Sequence, residues 1–248
     1  TLFRSGDDPL INLHARLTVA PARLALSLAA IVKAAADIKG SAAPEGMGDV
    51  SVCETSKKIA QSLVDGEKRA VFLGNVATQS ADATQLHALA LELGKLTGAT
   101  VGFLGEGANT VGGYVAGATP KGANARQMFE HPRKAYVLMG VEPEFDCANP
   151  QLAVGALKQA SLVVFMSAFK HTSALDYADV MLPISPFTET SGTYVNTEGR
   201  AQSFNGVVKP RGDTRPAWKV LRVLGNVLNL EGFEYSSSEE VRDEVLGE

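Results

Sequence analysis

The chain has 248 residues, 45% of them hydrophobic and 20% charged, proportions that exclude a wholly disordered or fibrous protein. Its 23 basic and 27 acidic residues give a formal net charge of −4, so no basic excess exists to drive binding to nucleic acid or anionic lipid. The two cysteines, Cys53 and Cys147, lie far apart, which excludes a disulfide framework and an iron–sulfur cluster held by this chain alone. Residues 231–248 hold seven acids and one base and are predicted to be an acidic C-terminal tail.

The N-terminal part is predicted to be a helical segment and a linker, residues 1–50. The first residue is Thr, which indicates processing or a piece of a longer protein. Residues 10–39 are predicted to form a pair of helices, but their longest uncharged run, 24–32, is shorter than the roughly 20 residues of a membrane span. No direct membrane insertion is therefore expected. The Gly- and Pro-rich residues 40–50 are predicted to be the linker.

One face of the predicted N-terminal helix pair is apolar. Residues at helical spacing on that face are Leu17, Leu24, Leu28, Ile31 and Ala35. Because the other faces are apolar too, the segment is predicted to be a contact surface for protein outside this chain. The alternative is that it folds back and completes the core of its own domain.

Residues 51–230 are predicted to form an α/β domain in which apolar strands alternate with helices. The predicted strands are 69–74, 99–104, 134–140, 161–166 and 179–183. The predicted helices are 57–64, 82–97, 124–130, 152–160 and 216–230, with a last turn or two at 241–246. Asp82 and Gln85 are predicted to form a capping box, with Gly98 as the C-cap. This alternation predicts a Rossmann-like, doubly wound, mainly parallel sheet.

In such a sheet, ligands bind at the carboxyl ends of the strands, which directs attention to loops 74–82, 105–117, 140–150 and 183–200. The segment Gly105–Gly113 only partly matches a dinucleotide-binding fingerprint, because Thr110 takes the place of the third glycine and no helix is predicted after it. Its glycines are interpreted as sites of close backbone packing or positive φ.

Three carboxylates follow the strand 134–140: Glu142, Glu144 and Asp146. Their charge would repel a pyrophosphate. Alternatively, one of them accepts hydrogen bonds from a ribose or a guanine edge, or all three are solvated loop acids.

The histidines His14, His87, His131 and His171 lack the spacing of a zinc site. His87 is interpreted as a surface residue. His171 follows a strand end, where contact with a ligand is one interpretation and a structural role the other.

The segment 182–202 concentrates hydroxyls with Asn196, Glu198 and Arg200, a composition that suits a polar ligand or a polar network holding a long loop in place.

Ala178-Asp-Val-Met-Leu-Pro183 is followed by a set of spaced polar and glycine residues: Glu189, Gly192-Thr193, Asn196, Glu198-Gly-Arg200 and Gln202. This pattern resembles the molybdopterin oxidoreductase superfamily. Four further segments indicate which member of this superfamily the chain resembles: 105–117, 140–143, Pro210–Gly225 and Gly232–Tyr235. Over residues 55–248 the chain is similar to the C-terminal region of the large iron–sulfur subunit of bacterial NADH-quinone oxidoreductase, complex I.

The resemblance implies a structural or scaffold domain of a subunit that carries electrons from NADH toward quinone. It implies no catalytic, cofactor-binding or metal-binding residue in this chain, and iron–sulfur clusters in a missing N-terminal part of the parent subunit. The implied partners are other subunits of the peripheral arm, on the cytoplasmic side of the bacterial inner membrane, and no nucleic acid.

The alternative is a fragment of a true molybdopterin oxidoreductase that binds a guanine dinucleotide through 140–150 and 188–202. Molybdenum enzymes of this superfamily typically carry a G-x-N-P-type loop, and Glu142 here takes the place of its Asn. A third hypothesis, a Rossmann-like NAD-binding domain, is disfavoured by the incomplete glycine pattern and the acidic loop.

Overall fold

The structure is a computed structural model that describes residues 2–4 and 12–247, with side-chain surroundings for 12–247. The chain divides into two compact units, Thr1–Gly107 and Ala108–Glu248. Both contain parallel strands and helices, which confirms the predicted α/β fold class with an N-terminal helix. The domain boundaries placed at 50/51 and 230/231 remain predictions.

The first unit combines a helical layer with two short parallel sheets. Its strands are β1 (Leu2–Arg4), β2 (Arg16–Thr18), β3 (Ala70–Leu73) and β4 (Thr100–Phe103). Its helices are α1 (Leu24–Lys39), α2 (Glu54–Asp65), α3 (Asn75–Thr78) and α4 (Ala83–Thr97). Strand β1 pairs in parallel with β2, and β3 pairs in parallel with β4.

The predicted pair of helices over 10–39 is a single helix, which corrects the prediction. Residues 10 and 11 lie outside the described residues; β2 and a 3-10 turn, Pro21–Arg23, precede α1. Proline has no backbone N–H and biases the residue before it toward extended backbone, and Ala20 has φ −61° and ψ 147°. Helix α1 therefore begins only after this turn.

Helix α1 is the centre of the first unit's core, as the alternative interpretation of the apolar segment predicts. Ten of its residues are buried, among them Ile31, Val32 and Ala35. It packs against α2 and α4, whose Ile59, Leu86 and Leu93 belong to the same cluster. A helix apolar on several faces is stable in water only when such neighbours cover it. The expectation of a contact surface for missing protein was wrong for this helix, because α2 and α4 supply the cover.

The predicted linker 40–50 is ordered against α1. Lys33 Nζ donates to the carbonyl oxygens of Gly48 at 2.7 Å and Val50 at 3.0 Å. Met47 is buried in the core of the unit. The segment thus forms a fixed connection from α1 to α2.

Helix α4 lies where the sequence predicts it, and Gly98 ends it at φ 73°. The predicted capping box does not form: Asp82 has φ −94° and ψ 15°, and its side chain makes no cap bond. An N-cap side chain reaches the helix from extended backbone, which Asp82 does not have.

The second unit contains five strands and six α-helices among its described residues. Its strands are β5 (Ala135–Met139), β6 (Leu162–Ser167), β7 (Val180–Pro183), β8 (Gly192–Val195) and β9 (Ala201–Phe204). Its helices are α5 (Thr110–Val115), α6 (Ala125–Glu130), α7 (Pro143–Asp146), α8 (Pro150–Lys158), α9 (Ala217–Val227) and α10 (Ser238–Leu246). Strands β5, β6 and β7 form a parallel sheet in that order, and β8 and β9 form an antiparallel hairpin.

The five strands predicted from apolar runs all exist, within a residue or two of their predicted ends. In the described residues they pair as two sheets, β3–β4 and β5–β6–β7, rather than as one. The connection from β4 to β5 contains only two six-residue helices, α5 and α6. It therefore lacks the long amphipathic crossover helix that usually joins neighbouring parallel strands.

The core of the second unit lies on one face of the sheet β5–β6–β7. Tyr136, Val163 and Phe165 alternate toward this face and pack with Leu157 of α8 and with Tyr177. The alternation follows from the two-residue period of a strand. This packing fixes the sheet edge at which the candidate site lies.

The predicted acidic tail packs partly against α9. The ring of Phe233 lies so close to Gly225 that an added Cβ would meet it at 2.3 Å. The tail then forms α10, which begins earlier than the turn predicted at 241–246, because Ser237 caps it by accepting from the Glu240 amide. Within the described residues, no helix is both long and apolar enough to cross a lipid bilayer.

Candidate functional site

The candidate site lies at the carboxyl edge of the sheet β5–β6–β7. Gly140 follows β5 with φ 62° and donates its backbone N–H to the carbonyl of Met166 at 2.9 Å. A residue with a side chain would be strained at this φ, so glycine allows the chain to turn directly at the strand end. The loops after β5 and β6 are thereby brought to the edge where parallel α/β sheets bind ligands.

The loop after β5 is held in place by one of its own carboxylates, that of Asp146. The Glu142 amide donates to Asp146 Oδ2 at 2.7 Å, across the short helix α7. Pro143 is buried at the first helical position, where its missing N–H costs nothing. Asp146 therefore positions the loop, and the side chains of Glu142 and Glu144 remain for other contacts.

His171 lies between these two glutamates. Its Nδ1 is 3.8 Å from Glu142 Oε1, and its Nε2 is 3.7 Å from Glu144 Oε2. The imidazole is 17% exposed, and its Nε2 is buried with no hydrogen-bond partner. Phe165 stacks on the imidazole ring with the ring centroids 6.5 Å apart. Phe145 makes a T-shaped contact with the imidazole, with the centroids 5.9 Å apart. The contact joins the loops that follow two neighbouring strands.

Tyr177 completes this cluster. Its hydroxyl donates to Glu144 Oε2 at 3.3 Å. Burial raises the pKa of Tyr177 well above its usual value of 10, and the nearby Glu144 carboxylate raises it further. Burial, with Asp146 and Glu144, likewise raises the pKa of the Cys147 thiol. Both groups therefore remain protonated at neutral pH.

The cluster carries an excess of negative charge. The loop 140–150 contains three carboxylates and no basic residue. A phosphate approaching it would be repelled by Coulomb interaction. The arrangement suits hydrogen-bond donors or a cation instead: the Tyr177 hydroxyl donates to Glu144, and the His171 ring nitrogens lie 3.7–3.8 Å from the two glutamates. The side chains of Glu142 and Glu144 are 39% and 21% exposed and approach His171, so both acids have a protein neighbour as well as solvent.

The polar residues of segment 178–202 mostly serve the backbone. Asp179 Oδ2 accepts from the Val163 amide at 2.7 Å, and Glu189 Oε2 accepts from the Arg211 amide at 3.0 Å. Asn196 Oδ1 accepts from the amides of Glu198 and Arg200, both at 3.0 Å, and closes the turn between β8 and β9. The side chains of Glu198 and Arg200 are exposed. The network interpretation of this segment fits these contacts, although most of them are at the surface.

The glycine-rich segment forms the short helix α5, where the sequence predicts no helix. Asn109 precedes this helix, and its Oδ1 accepts from the Val195 amide at 2.8 Å instead of capping it. An added Cβ at Gly112 would lie 2.0 Å from Asn109 Oδ1. Gly117 has φ 64°. The glycines at 112 and 117 thus serve close packing and positive φ, as the sequence indicates.

The remaining candidates are dispersed. His14 and His131 are exposed, and His87 is exposed with its ring edge against Phe103. Cys53 caps α2 by accepting from the Ser56 amide, and hydrogen bonds from the Ser56 side chain and amide lower its pKa. Among residues 12–247, no group of three or more His, Cys, Asp or Glu side chains is arranged to hold a metal ion.

Tyr177 is the member of the cluster that sequence reasoning missed. It lies in the polar connection between β6 and β7, and its distance from Glu144 along the chain hides the contact. One signal was available, because a tyrosine next to Ala178-Asp179, at the start of a strand, is placed to enter the core with its hydroxyl near the sheet edge.

Comparison with known proteins identifies the family. The sequence profile described as Molybdopterin oxidoreductase matches residues 41–227, most of the chain. The chain belongs to the molybdopterin oxidoreductase family. The match includes the segment 178–202, which carries the resemblance in the sequence.

Several curated relatives carry the provisional name formate dehydrogenase. One from Staphylococcus haemolyticus is 33% identical over 100 residues, and one from Staphylococcus aureus is 35% identical over 98 residues. Each match covers 40% of this chain but 10% of the relative, so the aligned part spans about a tenth of those proteins.

Solved structures show the same fold at low sequence identity. The acetylene hydratase of Pelobacter acetylenicus matches with a TM-score of 0.67 at 13% identity, over 90% of this chain and 42% of that one. A chain of the formyltransferase/hydrolase complex of Methylorubrum extorquens, solved with methylofuran, matches with a TM-score of 0.58 at 16% identity, over 91% and 64% of the two chains. At these identities the likeness concerns the fold alone.

Proposed function

We propose that the chain is a non-catalytic scaffold domain within an electron-transferring oxidoreductase of the molybdopterin oxidoreductase family. The parent protein we propose is the large iron–sulfur subunit of an NADH-quinone oxidoreductase, on the cytoplasmic side of the bacterial inner membrane. The observation that carries the proposal is the contact of Glu142 and Glu144 with His171 at the carboxyl edge of the parallel sheet.

The cofactor that the family name implies is a molybdopterin, which in dinucleotide form carries phosphates. The residues at the carboxyl edge of the sheet β5–β6–β7 do not fit such a group. Glu142 and Glu144 present carboxylates where phosphates would need cations or free amides, and the Glu142 amide is already used by Asp146. Asn196 lies in 188–202, the second segment that would hold a guanine dinucleotide. Its Oδ1 already accepts hydrogen bonds from two backbone amides. No chemical step is therefore assigned to this chain.

The resemblance of 105–117, 140–143 and 210–225 to the large complex I subunit supports the choice of parent protein. In that setting the domain would contribute its folded surface to an assembly, while clusters elsewhere in the parent carry electrons. The partners would be neighbouring subunits of the peripheral arm.

A second candidate is favoured by the curated relatives. They carry the name formate dehydrogenase, and their identity of 33–35% over about 100 residues suits a shared ancestor. Under this hypothesis the chain is part of a molybdenum enzyme and holds a guanine dinucleotide through 140–150 and 188–202.

Elemental analysis of the intact parent protein distinguishes the two. The scaffold proposal expects iron but no stoichiometric molybdenum, and no formate-dependent dye reduction. Stoichiometric molybdenum together with formate oxidation would establish the second candidate and reject the first.

Thermal unfolding of the 248-residue chain tests whether the carboxyl edge of the sheet binds a nucleotide. A ligand that binds the folded state raises its stability by RT ln(1 + [L]/Kd). With a guanine dinucleotide as the probe, the midpoints with and without ligand are expected to coincide. A clear rise that disappears in Asn196→Ala would reject the scaffold proposal. The Glu142→Asn variant is the matched comparison, because it removes one carboxylate without removing the loop.

A further inference from the structure

The loop between β9 and α9, residues 205–216, presents an apolar tip with a basic rim. The side chain of Val207 is 83% exposed and that of Val208 is 57% exposed. Lys209, Arg211 and Arg215 follow and are exposed, with Asp213 as the single acid of the loop. In the part of the chain that the structure describes, neither Lys209 nor Arg211 forms an ion pair with an acid.

The loop is fixed in place by hydrogen bonds on both sides of the tip. The amides of Val207 and Val208 donate to Thr188 O at 2.8 and 3.3 Å, and the Arg211 amide donates to Glu189 Oε2 at 3.0 Å. Gly206 approaches the Glu189 backbone so closely that an added Cβ would lie 3.2 Å from it. The exposed valines are thus held outward by the backbone.

The far end of the loop is anchored as well. Thr214 N–H and Oγ1 donate to Arg211 O at 3.2 and 2.8 Å and close a turn. The Ser185 amide donates to Arg215 O at 2.9 Å, next to the strand end of β7. A loop ordered before binding loses little conformational entropy when a partner covers it, and valine has few rotamers to lose.

We infer that the loop 205–216 is a docking element for an acidic surface of another protein, one with an apolar recess for Val207 and Val208. Protein interfaces place apolar side chains at the centre and polar groups at the rim, which is the arrangement of this loop. The basic rim requires acids opposite it. The inference goes beyond the proposed function, because a catalytic chain could use the same loop.

Other occupants fit less well. The loop contains no aromatic side chain on which a base could stack. A basic loop of two valines and three cations is also a weak membrane anchor, since stable anchoring needs more apolar contact.

The test is photo-crosslinking in the intact parent protein, expressed in its native cells. The photoreactive residue p-benzoylphenylalanine replaces Val207, and a matched position is Tyr114, whose side chain is 69% exposed in α5. The expected result is a crosslink from position 207 to one acidic segment of a different polypeptide, absent from position 114. The yield should fall about tenfold in Lys209→Glu/Arg211→Glu and be kept in Lys209→Arg/Arg211→Lys.

Each other outcome overturns the inference. These outcomes are crosslinks to another part of the parent polypeptide, to lipid only, to a second copy of this chain, to a neutral or basic segment, or to nothing, and a yield insensitive to charge reversal. Melting curves of the charge-reversed protein verify that it is folded. Because the metal content of the same preparation is measured separately, failure of this inference is distinguishable from failure of the proposed scaffold function.

Discussion

Asn109 Oδ1 accepts a hydrogen bond from the backbone amide of Val195 at 2.8 Å and joins the glycine-rich segment to strand β8. Val195 is buried, so its amide has no access to water as a replacement partner. Residues 86 positions apart in the sequence are thereby held together by one side chain.

Replacing Asn109 by Ala is expected to lower the free energy of unfolding by about 1–3 kcal/mol, because it leaves a buried N–H without an acceptor. Urea unfolding of the 248-residue chain measures the change. Asn75→Ala is the control, since Asn75 is exposed and its side chain has no hydrogen bond in the described structure. Equal effects of the two substitutions would contradict the assignment.

Gly112→Ala is expected to destabilise the chain chiefly through Asn109, because the new Cβ would lie 2.0 Å from Asn109 Oδ1. In the Asn109→Ala background this overlap is absent. The double variant should therefore lose about 0.5–3 kcal/mol less than the two single losses added together. A double-mutant cycle by urea unfolding gives this difference, and strict additivity would show that Gly112 is needed for another reason.

Gly225→Ala and Gly155→Ala should change stability in opposite directions. The Cβ at 225 would overlap the ring of Phe233, whereas the Cβ at 155 would meet no atom within 4 Å beyond its chain neighbours and its own helix backbone. Overpacking costs about 1–3 kcal/mol. A helical Gly→Ala change without overlap adds about 0.5–1 kcal/mol. Thermal unfolding compares the two variants, and Phe233→Ala should remove most of the penalty at 225.

Tyr177 is expected to make the fold sensitive to alkali. Its folded pKa lies above its unfolded value of about 10, so the unfolded chain loses the phenolic proton first as pH rises. Its contribution to stability is complete below pH 10 and falls above it by up to about 1.4 kcal/mol per pH unit. Urea unfolding at pH 9 to 11 measures this slope. Tyr177→Phe should flatten the slope, and an unchanged slope in this variant would contradict the assignment.

The two cysteines should differ in their rate of alkylation. Hydrogen bonds from Ser56 lower the pKa of the exposed Cys53, while burial raises the pKa of Cys147. Since the thiolate is the reactive form, iodoacetamide at pH 7.5 should modify Cys53 first. Ser56→Ala should slow the reaction at Cys53 and leave that at Cys147 unchanged. Peptide mass spectrometry over time gives both rates. Faster labelling of Cys147 would show that the lowered pKa of Cys53 does not determine the order of alkylation.

The sequence predicts the elements whose cause is local. The apolar runs of β3 to β7 and the periodic leucines of α4 are local signals, and so is Gly98 as a C-cap. Helix α5 was missed because its glycines have low helix propensity, and it depends on the distant bond between Asn109 and Val195.

The candidate site was predictable only in part. The position of the acids after β5 and of His171 after β6 follows from strand order in a parallel sheet. Their contact depends on the turn at Gly140 and on Asp146 holding the Glu142 amide, which no short pattern encodes. Pairing of α1 with α2 and α4 is likewise a matter of tertiary packing.

The two bonds of Lys33 to the Gly48 and Val50 carbonyls also set where this chain can change length. An inserted residue at 41–46 would extend a surface turn and leave the clamp intact. An insertion between Met47 and Val50 would shift one carbonyl away from the ammonium and move the buried methionine out of register. Length variation among relatives should therefore accumulate before Met47, and engineered insertions or affinity tags belong in the same stretch.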